Sequence, residues 1–382
     1  MRRKRIIALA LAAATMLAGT GRATADGKSH HRETGRTHAV FVQTNKPRSA
    51  GGNTIRVFKR ADNGRLSAAG EFKTGGNGGA VAGAPTDALA SQGSLVYDGR
   101  LLFAVNAGSN TITLFRVHGT KLKRLQVTRS GGLLPVGVAV HHGLVYVLNA
   151  GGDGAVQGFR LEHDRLHRIA GANRSLHLGN PARPSFVLSP AQVGVDPLGR
   201  FVLVTTKTNN TVLAFRVGHG GRLAKRPVST RDSNGPFAFT FDTQRTLLVV
   251  GVATNTLTRH RLDRRGSLRQ IGAPVPNGQQ ASCWIQRVGN FYYVSNTASS
   301  TVSSYRVKNG KLRLLNGRAA TIPGGGTIDM TASGRFLYVQ NATAGNVQGY
   351  AVNDDGSLRL VTTATGLPKF ANGIGMEGIA AS

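Results

Sequence analysis

The chain has 382 residues, with 48 Lys and Arg against 17 Asp and Glu, a formal net charge of +31 and one cysteine. A single thiol excludes an intramolecular disulfide framework. The bases are dispersed, without a basic face interleaved with aromatics, which argues against sequence-specific nucleic-acid binding.

The first residues have the three parts of a secretory leader. Arg2, Arg3, Lys4 and Arg5 form a cationic start, and Ile6 to Ala18 is an apolar run of 13 residues, short of the roughly 20 that span a bilayer. Ala23-Thr24-Ala25 is a small-x-small cleavage signal, so residues 1–25 are expected to be removed and the mature chain to begin near Asp26. Cleavage leaves 43 basic against 17 acidic residues, a net charge of +26. The sequence therefore predicts a secreted or extracytoplasmic protein without a transmembrane anchor in its mature form. Residues 26–37 are polar and basic, with too little apolar surface to order themselves, and are expected to be a disordered linker.

From residue 38 onward one unit recurs seven times. An apolar strand is followed by a polar turn, a Thr/Val-rich strand ending in an aromatic and usually a cation, another turn, and a strand opened by leucine. The position ending the second strand is occupied by Phe58, Phe115, Phe159, Phe215, His260, Tyr305 and Tyr350, spaced 57, 44, 56, 45, 45 and 45 residues apart. A period near 45 built of short strands predicts an all-β chain, a seven-bladed β-propeller of four-stranded antiparallel blades over residues 38–382. Inner strands are expected at Thr86 to Ala90, Gly137 to Val140, Gln192 to Val195, Phe237 to Phe241, Ser282 to Ile285 and Thr327 to Thr331. The first repeat lacks one, and Glu377 to Ala381 supplies it, so the C-terminal strand closes the first blade and removes an open edge.

Two repeats carry insertions of about 11 residues, Lys73 to Ala84 and Ala172 to Pro190, and the connection Thr44 to Asn53 is also long. All fall at the end where inner strands begin, which marks that end as the expected working face.

The few carboxylates are informative. Asp87, Asp329 and Glu377 are placed in inner strands beside the channel, where each is either an ion-paired structural group or, with Gln192 and Trp284, part of a polar ligand site. Cys283 reads as a buried structural thiol and His141-His142 as an exposed turn. No cysteine-histidine spacing implies zinc, no nucleophile elbow is present, and no cofactor or metal is expected. No catalytic residue is assigned.

Units such as Gly334-Arg335-Phe336-Leu337-Tyr338-Val339 and Gly199-Arg200-Phe201-Val202-Leu203-Val204 resemble the seven-bladed lactonase family, which includes 6-phosphogluconolactonases and carboxymuconate-lactonizing enzymes. Ala281-Ser282-Cys283-Trp284 and Ala371-Asn372-Gly373-Ile374 are similar to an exported branch of it. Three positions depart from the pattern the resemblance implies. Gly-Pro-Arg-His is here Gly235-Pro236-Phe237-Ala238, a glutamate is missing from Val250-Gly251-Val252-Ala253, and Pro-Arg-Asp is reduced to Thr327-Ile328-Asp329. The resemblance implies a lactonase-like hydrolase or cycloisomerase for a small anionic lactone. The missing side chains and the positive charge motivate the alternative, a non-catalytic extracellular propeller that binds an anionic wall polymer, a ligand or a partner protein. A monomer is expected.

Overall fold

Alternating apolar residues give each strand a face to bury, and seven antiparallel sheets do so against one another in the computed structural model, which describes residues 37–382. The expected leader and nearly all of the linker lie outside the described residues. The inner strands are Ile379–Ala381, Leu95–Tyr97, Leu133–His141, Pro190–Val195, Pro236–Phe241, Ser282–Val288 and Thr327–Ser333, for blades one to seven. Each touches the inner strand of the next blade, and the ring closes between blades seven, one and two. Among the described residues the only helical elements are three single 3-10 turns. No helix there is long and apolar enough to cross a membrane.

The closure is as the repeat predicts. Val40, Phe41 and Val42 pair in antiparallel register with Ala381, Ala380 and Ile379. Two flanking bonds extend the ladder, from the Glu377 amide to the Gln43 carbonyl and from the Ser382 amide to the Ala39 carbonyl.

Blades are also stitched side by side. Tyr146, Tyr293 and Tyr338 each occupy the third position of their blade's second strand. Each hydroxyl donates to the carbonyl of a hairpin glycine in the following blade, Gly221, Gly356 and Gly64, at 3.0, 2.9 and 2.8 Å. Burial raises each of these phenols, that of Tyr146 to about 12, so they stay protonated donors.

Two expectations about strands need correction. Thr86 to Ala90 is not a strand but part of a buried loop, and blade two starts its inner strand at Leu95. Glu377 precedes the closing strand, which begins at Ile379. In blade five the outer strand is broken into Leu268–Gln270 and Val275–Pro276, both paired with Thr256–Leu262.

Candidate functional site: the plugged channel

Channel geometry starts from a shared irregularity. Each inner strand from blade three to blade seven breaks register near its start, with shifts between Pro135 and Gly137, Pro190 and Gln192, Pro236 and Phe239, Ser282 and Ile285, and Thr327 and Met330. A bulge at this point lets neighbouring side chains turn toward the axis instead of strictly alternating. It falls at the sequence positions around Phe237, Trp284 and Asp329.

The first long loop does not stay on the surface. Its continuation runs into the channel, where Asp87 to Ser91 are at most 2% exposed. A buried loop must find partners for its backbone, and here other blades supply them. The Leu89 amide donates to Asp87 Oδ1 at 3.2 Å and to Glu377 Oε2 at 3.1 Å, and the Ser91 amide to Asp87 Oδ2 at 3.0 Å. Lys207 Nζ donates to the Ala90 carbonyl at 3.0 Å and Trp284 Nε1 to the Ser91 carbonyl at 2.8 Å. Ala90 itself takes φ 55°, a left-handed conformation few residues with a Cβ adopt. Gln92 reaches blade six with both ends of its amide, donating to the Ile285 carbonyl at 3.1 Å and accepting from the Ile285 amide at 2.9 Å. The loop is a plug, and several expected ligand-site residues are its fasteners.

The electrostatics around the plug follow from burial. Desolvation raises Asp87, whose carboxylate accepts a hydrogen bond from Glu377. Glu377 is raised further, first by burial and then by the charge of Asp87, so it holds the proton the two share. Lys207 is drawn down to about 7 by burial, opposed by Cys283 and Asp87. Its ammonium lies over the rings of Phe186 and Phe237, 4.8 and 5.0 Å from their centroids. Phe237 also meets Trp284 edge to face at 5.1 Å. The phenylalanine that stands where the family pattern has arginine thus packs against a lysine supplied by blade four. The Cys283 thiol is raised by burial and is no activated nucleophile.

On the other side of the plug the channel opens as a pocket of about 340 Å³ toward the end where inner strands finish. Gln92, Gln192, Gln286, Asp329 and Thr331 line it, with Tyr97 at the wall. Gln192 spans blades four and five, donating to the Phe239 carbonyl at 3.2 Å and accepting from the Phe239 amide at 2.6 Å. Asp329 accepts from the Met330 amide at 2.8 Å and from the Gly93 and Ile379 amides. Burial nonetheless dominates and lifts it to about 7. No group of three or more His, Cys, Asp or Glu among the described residues is arranged to hold a metal.

The five sequence-predicted residues therefore separate. Asp87, Glu377 and Trp284 fasten the plug, whereas Asp329 and Gln192 face the open pocket. Sequence reasoning missed Lys207 and Gln92. Lys207 had a signal, since the equivalent residue near the end of the second strand is Ala107, Ala150, Thr297 or Ala342 in four other blades. A lysine in place of a small residue there marks a repeat put to separate use.

At the opposite end, where inner strands begin, the long loops frame a cleft of about 490 Å³. The two insertions meet there, with Arg183 Nε donating to the Ala80 carbonyl at 3.0 Å. Two of its asparagines are already engaged. Asn45 bonds both ways with Gly79, and Asn110 accepts from the Leu134 amide.

Residues 277–371, which contain blades six and seven, match the family described as seven-bladed β-propeller lactonases. The fold is similar to several solved structures. A protein from Lactobacillus plantarum matches with a TM-score of 0.66 and 19% identity, covering 91% of this chain and 99% of that one. A candidate 6-phosphogluconolactonase from Bacteroides fragilis gives a TM-score of 0.67 at 16% identity, covering 92% and 99%. The periplasmic gluconolactonase of Pseudomonas aeruginosa gives 0.65 at 16% identity, covering 87% and 98%. No curated protein matches the chain.

Proposed function

We propose that this chain, a seven-bladed propeller whose sixth and seventh blades match the lactonase family, is an exported lactonase-like enzyme that opens a small uncharged lactone in the pocket at the strand-finishing end. The observation that carries the reading is Asp329, a buried carboxyl held near neutrality on the wall of an open polar pocket. In its ionised form Asp329 takes a proton from a water, whose oxygen attacks the lactone carbonyl. The ring C–O bond then breaks, and the departing alkoxide recovers the proton from Asp329. The second amide hydrogens of Gln92 and Gln192 are the donors available to the developing oxyanion. The pocket lining contains no cation, so an uncharged lactone suits it better than the anionic one the family resemblance implies. Export is supported by the leader-like first residues and by the periplasmic location of the Pseudomonas aeruginosa relative.

A panel of small aldonolactones, followed by acid release at constant pH, tests this. Turnover is expected to rise with pH through about 7, as Asp329 ionises, and to fall by about a hundredfold or more in Asp329→Asn. Wild-type protein that opens none of the lactones rejects the reading. One observation favours a second reading, a propeller that binds without turnover. The plug occupies the channel level where the family pattern has its arginine and histidine, and Phe237 and Ala238 stand in their place.

A further inference from the structure

The repeat places a cation with unusual regularity. In six blades the residue after the aromatic that ends the third strand is basic: Lys59, Arg116, Arg160, Arg216, Arg261 and Arg306. Register makes the positions equivalent. Lys59 lies opposite Ala39, Arg116 opposite Leu101, Arg160 opposite Leu144, Arg216 opposite Phe201 and Arg306 opposite Phe291, each at the start of its second strand. The seventh blade has Ala351 there, but the outer-strand residue paired with it is Arg359. All seven blades therefore present a cation on the outer rim, at the end where inner strands finish, and all of these cations are exposed or half-exposed.

A second observation is independent of this spacing. The outer strand sets a like charge directly across from the rim cation in three blades, pairing Arg116 with Lys123, Arg261 with Arg269 and Arg306 with Arg313. Directly opposed like charges destabilise a sheet. Within the chain little offsets them. Asp164 is shared by Arg100 and Arg116, and Glu162 stands 3.5 Å from Arg160, but none of Lys59, Arg216, Arg261 or Arg306 has an ion-pair partner among the described residues. Two of the arginines are instead held over aromatic rings, Arg216 at 5.0 Å from Phe201 and Arg306 at 5.3 Å from Phe291, which fixes their position without neutralising them. Between blades three and four the rim deepens into a cleft of about 350 Å³ lined by Arg160, Arg168, Arg222, His167 and His219, with Glu162 as its single acid.

We propose that this rim is a binding surface for a flexible linear polyanion of phosphodiesters without bases. Repeated arginines match repeated phosphates, because the guanidinium fork fits phosphate oxygens in pairs. A nucleic acid is the poorer fit. Binding of single strands relies on aromatic platforms for the bases, and every exposed large apolar side chain among the described residues is aliphatic. The surface lies on third and outer strands, away from the channel, and the proposal holds whether or not the pocket turns over a lactone.

The test uses poly(glycerol phosphate) as probe, with single-stranded DNA and polyglutamate as competitors. Binding is measured over a range of salt for wild type and two triple variants of equal charge loss. The rim variant is Lys123→Ser, Arg269→Ser, Arg313→Ser, which relieves the opposed pairs and should melt no lower than wild type. The control is Arg48→Ser, Arg129→Ser, Arg318→Ser, at the opposite end of the blades. The rim variant is expected to lose about tenfold or more in affinity and about two units of log–log salt slope, at roughly 0.7 per phosphate contact. The control is expected to change by less than about twofold. Equal losses in both variants, no wild-type binding at low salt, or tighter binding of DNA or polyglutamate than of the probe would each overturn the proposal.

Discussion

Blades two and six are copies of one repeat that begin differently. Blade six opens with a seven-residue inner strand, Ser282–Val288, that carries Cys283 and Trp284 to the axis. Blade two has only Leu95–Tyr97, because the residues that would have lengthened its inner strand go into the plug. The difference shows what a closed ring of sheets tolerates. One blade can divert its inner strand if the other blades supply hydrogen-bond partners to the diverted backbone, and here blade four gives Lys207, blade six gives Trp284 and the closing segment gives Glu377.

The sharpest way to break this arrangement is to hollow the plug. Leu89→Ala removes a fully buried side chain from the channel and is expected to cost about 2–5 kcal/mol, read from the denaturant midpoint. A loss below about 1 kcal/mol would mean that the loop is not packed as described.

The next effect depends on pH. Asp329 binds a proton up to about 7 in the folded state, against a usual value of 3.8. Between those values the folded state holds the extra proton, so stability falls as pH rises. Asp329→Asn should therefore gain on wild type between pH 4 and 7, by up to a few kcal/mol at about 1.4 kcal/mol for each tenfold change in proton affinity. Lys207 supplies the opposite limb. It is neutral above about 7 in the fold but charged up to 10.5 when unfolded, so stability rises from pH 7 to 10. Lys207→Met should flatten that limb, and chemical unfolding at several pH values reads both. A Lys207→Met profile parallel to wild type would remove the ammonium from the plug's account.

Single fasteners come last. Trp284→Phe leaves the Ser91 carbonyl unpaired, and Tyr338→Phe does the same to Gly64 between blades. Each should cost about 1–3 kcal/mol. The comparison sharpens if Trp284→Phe also speeds amide exchange in residues 87–91 while Tyr338→Phe does not.

The blades were legible in the sequence because their information is local and repeated. The aromatic, the following cation and the leucine of the outer strand recur at fixed offsets, and Glu377 to Ala381 is visibly the missing first element. The plug was not legible, because a Gly/Ala-rich stretch ending in Thr86 to Ala90 has the composition of a turn followed by a short strand. Only its distant partners, Lys207, Gln92 with Ile285, and Glu377, force it inward. The same long-range dependence split the expected site, since Asp329 and Gln192 open to a pocket while Asp87, Glu377 and Trp284 serve the backbone of another segment.

The strand that completes blade one also sets a schedule. Val40 to Val42 cannot find their ladder partners until Ile379 to Ala381 have been made, because more than three hundred residues separate the two halves of one sheet. Contacts of such separation form slowly, and until they form the first blade shows a bare edge ready to pair with a neighbouring molecule. During synthesis the ring therefore stays unlatched until Ile379 to Ala381, the residues that lock it, have emerged.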